Sequence, residues 1–571
     1  MTYILGIWDG HDAGAALLKG DEILFAVNEE RLSRRKLDVG FPYRSIHACL
    51  NYAGLSPIAI KEIAVSTCDP AKTLTRLLPK LKEEYYLLRR RKKPPGRLDP
   101  FKKRFKYRFT ELGPNFISRI LSRSYFVKQL RSLGFNDFRL SLLDHHACHA
   151  HAAASTSGFD ECLVLTLDGV GDGLSGSIWH LKNSRLSLLK KIPARVSLGI
   201  FFEHVTNLMN MRELEDEGKV MALANYAYPI EERDNPLMGL IRTRGLDIVS
   251  ELSSTGMFRE LKRILWRYPS EQFAHMAQQT LEKNVLSLTE NTLHLIPSKK
   301  LALSGGIFSN IKLNKKISEL NGIEHVSVFP HMGDGGLAMG AAMGVNRHRF
   351  GVDRYNMKDL YLGPGFTHQE ILTSLKRFGY PFHKPDDVAE KAARLVLDGQ
   401  IILWFRGRME VGPRALGNRS ILSRPDSREI KDRLNLALKK RVWYQPFCPS
   451  ILLEDVPSLL YTNGRDIRNN PFMTTAYRVQ KDAMSLMEGV INIDGTCRPH
   501  FVGDENPVFR KLLLRVKEHL GKGVVLNTSF NIHGEPVVCS PDDALRTLKK
   551  TGIRYLFLED YLVENNDAKD I

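Results

Sequence analysis

The sequence predicts an α/β protein with a duplicated N-terminal part, followed by a second α/β domain. Three observations carry that prediction. The 571 residues are too many for one hydrophobic core and suggest two or three domains. Short apolar runs alternate with amphipathic, capped segments along the chain. A strand, an Asp-Gly turn and a second strand occur twice, around Asp9-Gly10 and around Asp168-Gly169, which suggests two related halves with a cleft between them.

Composition narrows the class. The content of 43% hydrophobic and 26% charged residues belongs to a soluble globular protein, and the apolar runs fall short of the roughly 18 residues a membrane span needs. Met1 to Gly6 runs straight into a strand pattern, so no signal peptide is expected. Seven scattered cysteines without a Cys-x-x-Cys pair speak against a disulfide framework or a Cys-rich zinc site, and a cytoplasmic location is expected.

In order, Ile4 to Trp8, Ala13 to Leu18 and Glu22 to Val27 read as an antiparallel meander. A helix from Ser45 to Ala53, closed by Gly54, leads to a strand at Glu62 to Thr67. The stretch from Lys72 to Arg108 then carries fifteen Lys/Arg against three acidic residues, a net +12 of the chain's +18. Its core, Arg89 to Gly96, reads as exposed, within an insertion of about 72–130. Phe138 to Leu143 reads as a strand feeding Asp144-His145-His146-Ala147-Cys148-His149, an Ala-rich helix with Asp144 as N-cap. His145 and His149 are i and i+4, about 6 Å apart at Cβ, which is metal-ligand spacing, although His146 and His149 form an alternative i,i+3 pair.

Cys162 to Leu167 is a strand running into the second Asp-Gly turn, where Gly-rich backbone can cradle phosphate and a carboxylate can hold a counter-cation. Glu217 to Ala224 is a loop entering a helix, and Phe273 to Leu295 is a long amphipathic helix. Leu301 to Ser304 is a strand before Gly305 and Gly306, where the missing Cβ atoms let a base or ribose lie against backbone. Val326 to Phe329 is a strand ending near Asp334. His145, His149, Asp168 and Asp334 therefore make a candidate N2O2 metal set across the cleft. A second domain is expected from about residue 363, giving 1–362 and 363–571. It holds the loop 406–421 with four arginines, which suits a bound anion, then the strand and loop Val524 to Asn531. It ends with a Ser540-Pro541 helix cap and a final strand, Arg554 to Val563.

The N-terminal Asp-Gly hairpin, His-x-x-x-His, the second Asp-Gly loop, Ser-Gly-Gly-x-x-x-Asn and Gly-Asp-Gly-Gly, in this order, resemble the carbamoyltransferase family of the NodU/CmcH type. In the second half, Gly412-Pro413-Arg414-Ala415-Leu416-Gly417-Asn418-Arg419-Ser420 and Asn527-Thr528-Ser529-Phe530-Asn531 are close to the same family's pattern. The resemblance spans nearly the whole chain apart from the basic insertion. It implies an actin/sugar-kinase-like, TsaD-like N-terminal domain and a YrdC-like C-terminal domain. One departure is Gln445, where many members carry Arg.

The resemblance implies carbamoyl phosphate held by Arg414, Lys439, Arg498, Asn527 and Ser529. It also implies conversion with ATP and Mg to carbamoyl-adenylate, and transfer to a hydroxyl of a small-molecule acceptor with His11 as general base. Asp12, Gly169, Lys219, Gly305, Gly306 and Asn310 are the expected nucleotide-binding residues. Iron is the metal implied, while an N2O2 set by itself suits zinc or manganese equally. A homodimer is compatible with this reading. The alternative is a tRNA threonylcarbamoyl-type modification protein that binds RNA through its basic insertion. For that insertion three roles compete: a solvated cap, an acceptor-recognition lid, or a surface for anionic lipid or nucleic acid.

Overall fold

A computed structural model describes residues 2–94, 96, 108–464 and 466–568. Residues 97–107 of the basic stretch, with Phe101, Phe105 and Tyr107, lie outside the described residues. The chain forms two compact units, Met1–Leu24 with Val39–Asn356 and Phe25–Asp38 with Met357–Ile571. A single boundary at 362/363 misses the excursion at 25–38. Arginines hold that excursion in the second unit: Arg31 Nη2 donates to the Gly412 carbonyl at 2.9 Å, and Arg34 donates to the carbonyls of Pro536 and Val537 at 2.9 and 2.6 Å.

In the first unit two five-stranded sheets repeat one topology. Strands β1 (Tyr3–Trp8), β2 (Gly14–Lys19), β3 (Glu22–Asn28), β4 (Glu62–Ser66) and β5 (Arg139–Leu143) lie in the order β3-β2-β1-β4-β5. Strands β6 (Cys162–Gly171), β7 (Leu174–Lys182), β8 (Arg185–Pro193), β9 (Lys300–Ser304) and β10 (His325–Val328) lie in the order β8-β7-β6-β9-β10. In both sheets the first strand pairs antiparallel with the second and parallel with the fourth, and the fifth runs parallel to the fourth. The duplication expected from the two Asp-Gly motifs is therefore present in the hydrogen-bonding pattern itself.

The second motif differs locally from expectation. β6 continues through Asp168 and Gly169, with an irregularity in its pairing between Leu167 and Gly171, and the turn falls at Asp172-Gly173. A bulge leaves backbone groups unpaired and re-aims side chains, here that of Asp168.

The histidine helix, His145–Thr156, is buried on nearly every side. It packs on Leu337–Phe350 at very short range: a Cβ on Gly340 would stand 2.1 Å from the Cys148 carbonyl oxygen, and one on Gly6 of β1 would stand 1.9 Å from that of Ala338. Small residues stand at these contacts because anything larger would separate the backbones. Asp144 is the N-cap by position, but its side chain makes no cap and pairs with Arg119 at 2.9 Å. The His145 N–H is instead satisfied by Asp172 Oδ2 at 2.7 Å.

The second unit is built on an eight-stranded mixed sheet. In sheet order its strands are Phe382–His383, Tyr561–Glu564, Tyr555–Leu558, Ile402–Phe405, Arg419–Ser423, Val524–Ser529, Cys448–Leu452 and His500–Val502. The expected final strand at 554–563 is a hairpin, because Glu559 adopts φ 50° and turns the chain. The Ser540 capping box with Pro541 at the first helical position is present as expected.

Candidate active site

His145, His149, Asp168 and Asp334 each offer a ligand atom, all within 4.8 Å of one another. His145 Nε2 lies 3.3 Å from Asp168 Oδ2 and 3.4 Å from Asp334 Oδ1, and His149 Nε2 lies 3.4 and 3.7 Å from the same two oxygens. His146 turns away to Thr166 Oγ1 at 2.9 Å, which resolves the i,i+3 alternative in favour of the i,i+4 pair.

Neighbouring groups set the two imidazoles. Ser304 Oγ donates to the Met332 carbonyl and so accepts from His149 Nδ1 at 3.1 Å, leaving the Nε2 lone pair facing the carboxylates. Thr67 Oγ1 meets His145 Nδ1 at 3.0 Å. Thr67 is β-branched yet sits at φ 69°, a strained conformation held by its N–H to the Leu143 carbonyl at 2.9 Å. Burial works against charge on His145, but the Asp334 and Asp168 carboxylates hold its imidazole up at about 10. Two such carboxylates, two oriented imidazoles and a buried, unpartnered His149 Nε2 fit a divalent cation. Asp168 Oδ1 accepts from the Gly306 N–H at 3.1 Å.

His11 Nδ1 is 3.5 Å from Asp334 Oδ2, on the carboxylate oxygen that does not face the two histidines, and 3.4 Å from the Tyr86 hydroxyl. Burial lowers the imidazole to about 4 against the pull of Asp334. Tyr86 comes from the basic stretch. Buried Asp9 pairs with Arg76 through Nε and Nη2 at 2.8 and 2.9 Å and with Lys72 Nζ at 3.3 Å, and its carbonyl accepts from Lys82. Arg89 bridges Glu203 and Glu213, and Arg90 pairs with Glu215. The expected exposure of Arg89 and Arg90 is corrected: acidic partners far along the chain draw both inward. A count of charges shows no such partners.

The nucleotide-binding expectations meet engaged groups. A Cβ on Gly305, at φ 108°, would strike the Leu167 carbonyl oxygen at 2.1 Å, and one on Gly306 would strike Asp168 Oδ1 at 2.6 Å. The side of each glycine that a Cβ would occupy is thus filled by protein rather than open to a base. Asn310 caps the following helix through Leu313 N–H and exchanges hydrogen bonds with Gln278. Lys219 pairs with Asp216 at 2.8 Å. Gly169 gives its carbonyl to Ser197 Oγ at 2.6 Å, and Asp12, at φ 55°, presses its carboxylate against Gly335.

In the second unit the arginines of 406–419 divide. Arg406 donates to Asp560 at 3.0 Å, Arg408 to the carbonyls of Leu362 and Gly363, and fully buried Arg419 to those of Arg406, Gly407 and Asn418. The buried Nε of Arg414 has no protein partner. Burial, then the charge of Arg498, lowers the Arg414 guanidinium from its ordinary value, and burial with Arg498 nearby does the same to Arg441. Arg498 donates to Cys448 Sγ at 3.1 Å. Arg414 and Arg441 are thus each influenced by Arg498, and among the described residues no carboxylate pairs with any of the three, an arrangement that suits an anion.

Asn527 donates to Ala415 O and Ser450 Oγ, leaving its buried Oδ1 unpartnered, and Ser529 Oγ donates to Asn531 Oδ1 at 2.7 Å. Lys439 Nζ donates to the carbonyl of Ser529 and to Asn531 O and Oδ1, the latter two at 2.9 and 3.0 Å, so it braces the Asn-Thr-Ser loop. Gln445 gives its carbonyl to Asn435, while its buried Oε1 has no partner. Sequence reasoning missed Glu410, whose Oε1 accepts the N–H groups of Leu416, Asn418 and Arg419 at 2.7 to 3.1 Å and shapes the loop around Arg414. It also missed Arg441, although Lys439-Lys440-Arg441 was a visible signal.

A family model described as Carbamoyltransferase N-terminus matches residues 3–343, and one described as Carbamoyltransferase C-terminus matches residues 393–565. A protein of Methanocaldococcus jannaschii is 32% identical over 98% of this chain and 99% of its own length. Nodulation protein NolNO of Sinorhizobium fredii is 30% identical over 98% of this chain and 79% of its own. The 3'-hydroxymethylcephem-O-carbamoyltransferase of Streptomyces clavuligerus is 32% identical over 64% of this chain and 70% of its own. With both models matched in order along one chain, and the histidine and arginine motifs inside the matched ranges, this protein belongs to the carbamoyltransferase family and is an enzyme.

Proposed function

We propose that this enzyme converts carbamoyl phosphate and ATP into carbamoyl-adenylate, inorganic phosphate and pyrophosphate in its second unit, a YrdC-like domain. Its first unit, an actin/sugar-kinase-like and TsaD-like domain, then transfers the carbamoyl group to a hydroxyl of a small-molecule acceptor. The observation that carries the proposal is the cradle of Arg414, Arg441 and Arg498, with its unsatisfied Arg414 Nε and Asn527 Oδ1. Guanidinium donors neutralise the phosphate, at roughly 1.5–3 kcal/mol for each charged hydrogen bond, and the Asn527 carbonyl suits the carbamoyl NH2. Mg enters as the companion of ATP.

In the first unit His145, His149, Asp168 and Asp334 would hold a divalent metal, iron by family resemblance, which supplies Lewis-acid polarisation of the acyl-phosphate. Asp334 Oδ2 fixes His11 with Nδ1 toward the carboxylate, so Nε2 is the nitrogen left to take the proton of the attacking hydroxyl. That hydroxyl oxygen bonds the carbamoyl carbon, the carbon–oxygen bond to the adenylate phosphate breaks, and AMP leaves. Asp12, Gly169, Lys219, Gly305, Gly306 and Asn310 remain the proposed lining for the nucleotide, most of them as backbone and shape. Incubation with carbamoyl phosphate and ATP is expected to release pyrophosphate without any acceptor. Release that strictly requires an acceptor would overturn the two-step order.

A further inference from the structure

Helices Pro70–Leu77 and Pro79–Arg89 have two contrasting faces. The inner face carries Lys72, Arg76, Lys82 and Tyr86, which reach Asp9 and His11. Leu74 and Leu77 on the first helix, Leu78 at the break between the two and Leu81 on the second are 40–50% exposed. The helix Phe116–Ser132 packs against Pro70–Leu77 through Thr73 with Ser122 and Arg76 with Ser122, each at 2.8 Å. It adds a second apolar stripe, with Phe116 78%, Ile117 67% and Ile120 46% exposed. Aliphatic stripes left in water on neighbouring helices mark a contact surface, since scattered single residues are the ordinary case.

Charge identifies the partner. Exposed Lys80, Arg123, Lys128 and Arg131 accompany these apolar residues on the same helices. A second copy of the chain would set this positive face against itself in a two-fold contact. Nucleic acid would match the charge but leave the leucines without a partner, because its contacts are to phosphates, sugars and base edges. An amphipathic surface with aliphatic residues and a basic surround matches the boundary between headgroups and acyl chains of an anionic bilayer. We propose that this face docks the enzyme on an anionic phospholipid membrane surface, with Leu74, Leu77, Leu81, Phe116 and Ile117 as the inserted side chains.

The test is flotation of the full chain with vesicles of phosphatidylcholine alone and of phosphatidylcholine with phosphatidylglycerol, at physiological ionic strength. The expected result is partition onto the anionic vesicles at least about tenfold stronger than onto neutral ones. Leu77→Ser with Leu81→Ser, and separately Phe116→Ser with Ile117→Ser, should each weaken it about tenfold. All four positions are exposed, so circular dichroism should stay unchanged. No partition, equal partition onto neutral vesicles, or binding that ignores both apolar variants would overturn the proposal. A self-association without lipid that the same variants abolish would overturn it in favour of a dimer contact, and charge-dependent RNA binding without vesicle binding would overturn it in favour of nucleic acid.

Discussion

His149 concentrates the chemistry of the first unit: Ser304 fixes its tautomer, and its Nε2 faces two carboxylates. His149→Ala is expected to leave a folded protein that loses bound metal by at least about tenfold, read by elemental analysis of the purified variant. A full metal complement would remove His149 from the site. In the second unit, buried Lys439 lies well below the ordinary lysine range, through burial first and then Arg441. Arginine keeps its charge, so the group that titrates is Lys439. A lowered pKa means the free enzyme loses this proton as pH rises, whereas a bound phosphate favours the charged form. Inorganic phosphate should therefore bind with net proton uptake and weaken toward alkaline pH, measurable by calorimetry in buffers of different ionisation heat. Glu410→Ala should leave three buried N–H groups without an acceptor. It should lower stability by about 3 kcal/mol in denaturant titration, together with pyrophosphate release.

The helices of the basic stretch act as one element with β1. Arg76 and Asp9 are both fully enclosed and Arg76 donates two hydrogen bonds to the Asp9 carboxylate, so the helix is fastened to the turn after β1 that carries His11. Removing 72–108 would strip Asp9 of its counter-charges and unroof His11, and such a deletion would report on folding rather than on acceptor choice. Arg76→Ala should cost about 3–5 kcal/mol in denaturant titration, because it leaves a buried carboxylate short of its main partner. Unchanged stability would mean that Lys72 and Lys82 suffice. The same logic explains Asp172, whose carboxylate accepts the N–H groups of Cys68, Asp69 and His145 at 2.7 to 2.9 Å and ties the histidine helix to the loop after β4.

At the scale of the whole molecule the proposed chemistry divides between two units, each with its own core. Arg414→Ala and Asn527→Ala are expected to abolish pyrophosphate release while sparing transfer from preformed carbamoyl-adenylate. His149→Ala is expected to do the reverse. Equal loss in both assays for any of these variants would argue for a single shared site. Among the described residues no helix is long and apolar enough to cross a membrane.

The motifs and the duplication were legible because they are local. Strand, Asp-Gly turn and strand can be read within twenty residues, and i,i+4 histidines are adjacent on any helix. The convergence of His145, His149, Asp168 and Asp334 was also within reach, since the duplicated halves bring strand ends together. The state of each side chain was not. Whether Arg89 meets solvent or Glu213, or whether Lys439 faces a ligand or three carbonyl oxygens, depends on partners about ninety or more residues away. Asp172 replaces Asp144 as the cap of the histidine helix for the same reason. Gly305 and Gly306 likewise read as open backbone until β6 is laid against them. Burial makes these choices, because a charged or polar group removed from water must find a partner wherever the fold supplies one, and sequence distance carries no information about that supply.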